Sequence, residues 1–217
     1  MKLDGELKKR LIEAMAGAVT SHAVELTDLD RAIGDGDHGL NMKRGFDAVL
    51  AGRDGLAARP LPDMLKSLGT RLVMTIGGAS GPLYGTLALA LAKGISAEPD
   101  LGDLAKAFAG AVDAVKARGK SSAGEKTMLD VLQPVAEELL AAASTGASRD
   151  LGARLRAAAE RGLETTRPMK ATKGRASFLG ERSIGHLDPG ARSSQLLIDA
   201  VLGVLTEQPA LEGVKSQ

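Results

Sequence analysis

Asp30-Arg-Ala-Ile-Gly34-Asp35-Gly36-Asp37-His38-Gly39-Leu40-Asn41-Met42 is the stretch whose reading separates a sheet fold from a helical one. Its hexapeptide Gly34 to Gly39 has the spacing GxGxxG, which marks a dinucleotide-binding sheet only when it joins a strand to a helix. The residues upstream carry no strand pattern: Leu7, Leu11, Met15, Ala18 and His22 recur at helical spacing. Asp35 and Asp37 would also oppose a bare pyrophosphate. The dinucleotide sheet is therefore rejected in favour of an all-α fold.

The same helical period recurs along the chain, for example at Leu104, Phe108, Ala111, Val112 and Val115. About eight helical segments are expected, near 5–26, 39–51, 61–76, 82–95, 101–118, 127–145, 149–167 and 190–207. Short links between them favour antiparallel neighbours, hence an up-and-down bundle or a closed ring. Aromatic residues make up only 2% of the chain, and Ala and Leu dominate its apolar set, a composition that suits helix better than sheet. With 217 residues and 44% hydrophobic content, one domain over 1–217 is expected.

Charge narrows the function. Lys and Arg number 28 against 27 Asp and Glu, so no global field draws the chain to nucleic acid or anionic lipid. There is no cysteine, which removes disulfides and thiolate metal sites. The longest apolar run, Leu87 to Ala92, is far short of the roughly 20 residues of a membrane span. The start MKLDGELKKR runs into an amphipathic pattern rather than an apolar signal core, so a cytoplasmic location is expected.

Three glycine-rich loops stand out from the helical pattern. In the first, Asp30, Asp35 and Asp37 crowd three carboxylates into eight residues, which repel one another unless a cation lies between them. Oxygen donors without cysteine favour magnesium over zinc, and magnesium keeps positions open for phosphate oxygens. The plain alternative is an exposed acidic turn that caps the next helix. The second loop, Gly77-Gly78-Ala79-Ser80-Gly81-Pro82, precedes an apolar helical run, so free N–H groups at a helix start would suit phosphate; close packing of small residues explains it equally well. The third runs from Lys173 to Ser194 and is long enough for an ordered lid or binding loop. His38 and His186 lie in these loops and could donate to phosphate or to a carboxylate, whereas His22 reads as structural. Gly119-Lys120-Ser121 resembles the tail of a P-loop, but Ala114 stands where that motif needs glycine.

The strings GDGDHGxNM, GGASGPLYG, GEKTMLD and KGRASFLGERSIGHLDPGAxSS, in this order across nearly the whole chain, resemble the L subunit of dihydroxyacetone kinase. That resemblance implies an antiparallel barrel of eight helices that binds ADP or ATP at one end. It implies two magnesium ions on Asp30, Asp35 and Asp37. His38, Gly39, Leu40, Asn41, Ala79 and Ser80 would meet the phosphates, and Gly119, Met128, Arg175, Asp188, Pro189 and Gly190 would line the rest of the pocket. His38 and Arg175 are candidate stabilisers of the transferred group, with Lys126 as a further cation near the phosphates, and no general base is recognisable. A separate K subunit would carry the ketose, dihydroxyacetone or a four-carbon relative. The phosphoryl source is either exchanging ATP or a phosphotransferase-system protein acting on resident ADP, and a homodimer is a further association to test. Two rival readings remain: a nucleotide domain like that of fatty-acid kinase, and a non-catalytic regulator that reports nucleotide state.

Overall fold

A computed structural model describes residues 3–147 and 149–206 of the chain. Among these residues ten α-helices and one 3-10 helix form, and no strand. The helices are α1 (Gly5–Ser21), α2 (Ala23–Ile33), α3 (His38–Ala51), α4 (Arg53–Ala57), α5 (Leu61–Thr75), α6 (Ser80–Gly94), α7 (Leu101–Gly119), α8 (Leu129–Thr145), α9 (Leu151–Thr165) and α10 (Pro189–Thr206). The 3-10 helix spans Arg175–Ser183. Local chemistry sets several of these ends. Asp4 accepts from the Leu7 N–H at 2.8 Å and Asp100 from that of Asp103 at 2.7 Å, which satisfies free donors at the starts of α1 and α7. Lys120 and Gly146 end α7 and α8 in the left-handed conformation.

Eight of the helices close a ring of contacts in the order α1, α3, α5, α6, α7, α8, α9, α10 and back to α1. Their register is antiparallel. Gly45 on α3 faces Ile76 while Gly52 faces Arg71, and Gly94 on α6 faces Ala107 while Gly119 faces Leu83. Across α8 and α9, Gly162 lies on Asp130 while Arg154 pairs with Glu138 at 3.3 Å. Glycine also allows a close crossing between α5 and α6: a Cβ on Gly69 would stand 3.0 Å from the carbonyl of Gly85. Inside the ring lie fully buried Ile12, Val19, Met42, Phe46, Val112 and Leu129. Val131, Leu155, Ala159 and Leu163 form a second cluster on the α8 and α9 side. No helix of the described residues is long and apolar enough to cross a membrane.

Three expectations change in detail. The first helix does not stop at 26; it runs to Ile33 with a break at His22. There the Ser21 hydroxyl donates to the carbonyl of Gly17 and His22 Nδ1 lies 2.8 Å from that of Ala18, local bonds that compete with the helical ladder. The short α4 was not expected. The lid or binding loop expected from Lys173 to Ser194 contains the 3-10 helix, kinked at Gly180 with φ 57°, and its last residues already belong to α10. The expected last position of the final helix, 207, lies outside the described residues.

Candidate functional site

At the end of α2 the chain doubles back over one of its own carboxylates. A Cβ on Gly34 would stand 2.2 Å from Asp30 Oδ1, so only glycine lets the backbone pass there. Buried Asp30 then accepts, through Oδ2, the N–H groups of Asp37 at 2.8 Å and His38 at 3.1 Å, and so caps α3 from the preceding helix. Gly39, in the first turn of α3, permits the matching approach to α2: its Cβ would lie 1.9 Å from the carbonyl of Ala23. These contacts bring oxygens of Asp30, Asp35 and Asp37 within 4.8 Å of one another, with only Asp30 buried. The Arg175 guanidinium reaches Asp35 at 3.1 Å. One guanidinium against three carboxylates leaves an excess of hard, anionic oxygen, a donor set that fits a divalent cation such as magnesium.

Beside the carboxylates opens a cavity of about 470 Å³. Its polar end is formed by the three Asp residues and Gly77 to Ser80, its apolar flank by Ile33, Leu83, Val115, Met128 and Leu129, and Asp188, Pro189 and Gly190 complete the lining. Helices α6 and α10 both begin in this lining, at Ser80 and Pro189, and their N-terminal N–H groups and dipoles favour anionic oxygen there.

A polar network lies behind the wall. The buried His38 ring stands 3.0 Å from Ser80 Oγ through Nδ1 and 2.9 Å from Ser193 Oγ through Nε2. The Tyr84 hydroxyl is 2.7 Å from Ser193 Oγ, 2.8 Å from Ser194 Oγ and donates to the Gly190 carbonyl at 3.1 Å. Burial lowers the pKa of His38, opposed by the charges of Asp30 and Asp37, and burial pushes that of Tyr84 up to about 12. Burial also raises the Asp188 carboxyl to about 7, although it accepts the Ala191 N–H at 2.7 Å. Lys126, whose pKa burial lowers, donates to the carbonyls of Thr166 and His186 and ties the end of α9 to the lid.

Of the expected site residues, Asp30, Asp35, Asp37, His38, Ala79, Ser80, Gly119, Met128, Arg175, Asp188, Pro189 and Gly190 all meet on this one cavity, as does Lys126. Gly39, Leu40 and Asn41 lie off its wall. Gly39 is packed on α2, Leu40 is 64% exposed, and buried Asn41 accepts from Arg44 at 2.8 Å beside Gly77. His186 is exposed and contributes its carbonyl rather than its ring. Tyr84, Ser193 and Ser194 were not singled out in the sequence, although they stand inside the GGASGPLYG and GAxSS strings.

A family profile described as the DAK2 domain matches residues 32–203. The ADP-binding subunit DhaL of PEP-dependent dihydroxyacetone kinase 1 from Listeria innocua is 43% identical over 203 residues, 93% of this chain and 98% of that one. The chain belongs to the family of the dihydroxyacetone kinase L subunit. Another L subunit, the one named as ADP-binding in the PEP-dependent enzyme of Escherichia coli, is also 43% identical, over 80% of this chain and 84% of its own. The crystal structure of the C. freundii dihydroxyacetone kinase with AMP-PNP and Mg2+ shares the fold at a TM-score of 0.70 and 24% identity. That match covers 91% of the present L-subunit relative but only 34% of the C. freundii chain, so this chain spans about a third of that protein's length.

Proposed function

We propose that this chain, as one domain over residues 1–217, is the nucleotide-binding subunit of a two-part kinase that phosphorylates dihydroxyacetone or a related short ketose. The observation that carries the reading is the convergence of Asp30, Asp35 and Asp37 at the polar end of a cavity where two helices begin. In this reading the three carboxylates hold two magnesium ions, and bound magnesium supplies charge neutralisation and polarisation of the phosphoryl group. Backbone N–H groups at Ala79 and Ser80 take phosphate oxygens. Arg175, beside Asp35, adds a cation at the same end. The nucleoside lies along the apolar flank between Leu83 and Met128, near Gly119, with Asp188, Pro189 and Gly190 closing the far side. Gly39, Leu40 and Asn41 serve the site from behind, by seating α3 on α2 and against the Gly77 loop.

Both ring nitrogens of His38 face serine hydroxyls, so it is not placed to take a proton from an acceptor. Activation of the ketose hydroxyl therefore falls to a separate K subunit docked over the open end. The relatives at 43% identity are named PEP-dependent and ADP-binding, and we extend both properties to this chain: ADP stays bound and a phosphotransferase-system protein recharges it. Isothermal titration with MgADP tests the site. Binding that vanishes in chelator is expected, and binding unchanged by chelator contradicts the metal-bridged reading. Binding without transfer in the presence of a K subunit would leave a nucleotide-state regulator.

A further inference from the structure

The segment between α9 and α10 closes on itself at a neck, where Thr166 and Arg167 meet Gly185 to Asp188. Two direct rungs cross that neck: the Gly185 N–H donates to the Arg167 carbonyl at 2.8 Å, and the Asp188 N–H to Thr166 Oγ1 at 3.1 Å. A third tie comes from outside the segment. The Lys126 ammonium, on the loop between α7 and α8, donates to the Thr166 carbonyl at 2.5 Å and to the His186 carbonyl, one on each side of the neck. Beyond the neck, Ala176 is buried with Ile33 of α2, and Arg175 reaches Asp35 at 3.1 Å. At the neck itself, Asp188 lines the cavity.

Its own loop places Lys126 for this contact. Glu125 accepts the Ser122 N–H at 2.7 Å, and buried Asp130 accepts the N–H groups of Gly124 and, at 2.7 Å, Thr127. Between these anchors Lys126 takes φ 61°, a left-handed conformation that residues with a Cβ rarely adopt and that persists only where the surroundings over-determine it. The residue is 1% exposed. An ammonium has three N–H groups, and two of these are committed to carbonyls. Bonds from a charged donor are stronger than those between neutral groups, so each bond of this tie outweighs either direct rung. The sequence pattern set Lys126 among the phosphates as a cation, whereas the geometry spends its charge on the neck.

We propose that Lys126 is a positioning residue: it staples the 167–187 segment shut at its neck, and so holds Arg175 at the carboxylate end and Asp188 in the cavity lining before any ligand arrives. It acts on a nucleotide through these two residues and not as a phosphate ligand. The staple stands without the nucleotide-site reading, and its effect on nucleotide release rests on that reading. A cation that serves phosphate changes nothing until phosphate binds. A staple changes the ligand-free protein, so the two roles separate in the absence of nucleotide.

The test is amide hydrogen exchange on the full chain without nucleotide. In the natural protein the Gly185 and Asp188 amides should be protected, and exchange at the free-peptide rate overturns the staple. Lys126→Gly removes the side chain and suits the left-handed backbone. It should speed exchange at residues 168–188 about tenfold, in line with the loss of a charge-assisted hydrogen bond, and leave α1, α5 and α6 unchanged. Propylammonium, which can enter the vacated channel and donate to both carbonyls, should restore slow exchange, and propanol should not. Unchanged exchange in the segment overturns the proposal, and with weaker MgADP binding it makes Lys126 a phosphate cation. Acceleration spread over all the helices overturns it in favour of a general role in stability. MgADP should also dissociate about tenfold faster from Lys126→Gly, again reversed by propylammonium, and faster exchange with unchanged release overturns the positioning role. If the natural chain binds no MgADP, the nucleotide-site reading falls while the exchange result still decides the staple. Should Lys126→Gly fail to fold by circular dichroism, Lys126→Met, whose stem fills the same channel without the charge, replaces it with the same outcomes and no response to the amine.

Discussion

Asp35 and Asp37 are exposed, so their charges are available to a ligand and cost the fold little, whereas buried Asp30 also caps α3. Asp35→Asn or Asp37→Asn should therefore lower MgADP affinity by about tenfold or more, roughly 1.4 kcal/mol, with an unchanged melting temperature for the apoprotein. Calorimetry beside a melting curve checks both halves. Asp188 gives a pH signature of known sign. Its folded pKa of about 7 lies above the ordinary 3.8, so the folded state prefers the protonated carboxyl. The associated stability is complete below pH about 4 and is lost as pH rises through about 7. Relative to Asp188→Asn, the natural chain should lose stability on the order of a few kcal/mol between these limits, read by urea unfolding at stepped pH. Parallel profiles would contradict a carboxyl whose pKa burial raises. The three metal-candidate carboxylates were legible in the sequence because crowded like charge is itself a signal. Tyr84, Ser193 and Ser194 were not, because a hydroxyl in a helix has no sequence mark until packing supplies its partner.

The helices themselves were legible wherever apolar period and loop agreed, as from α5 through α8. The break at His22 was hidden, because Ser21 and His22 bend the helix through bonds to their own preceding turn, which leave the apolar spacing intact. The close approach of α2 to α3 needs a position without a side chain at Gly39, and so Gly39 meets α2 rather than the cavity wall. Gly39→Ala should cost about 1–3 kcal/mol or more by driving a methyl into the backbone of Ala23, and it should weaken MgADP binding by displacing Asp37 and His38. Gly110→Ala, on α7 with open space around it, is the control and should stabilise by up to about 1 kcal/mol. Chemical denaturation of the two variants side by side checks the contrast, and equal effects would contradict the close α2 and α3 crossing.

The ring as a whole brings the loops after α2, α5 and α7 and the segment before α10 together around one cavity, and fills its interior with apolar packing. Phe46, one of three phenylalanines and 2% exposed, should cost about 3–5 kcal/mol when changed to Ala, read by chemical denaturation. Nucleotide at about a hundred times its dissociation constant should add roughly 2.7 kcal/mol to the natural chain if it binds only the folded state. Sequence motifs reached the family and picked out loops that meet on one cavity, but not the ring's contact order, which arises from pairings between segments far apart in the chain. In the proposed reading, a phosphoryl donor site whose acceptor is activated elsewhere makes this chain half of an enzyme, because a ketose hydroxyl must be held in line with the donor before transfer can occur. The direct test is formation of dihydroxyacetone phosphate by this chain alone, by a K subunit alone, and by the two together with magnesium and the phosphoryl donor. Turnover only in the mixture is the predicted result, and turnover by the purified chain alone would contradict the account.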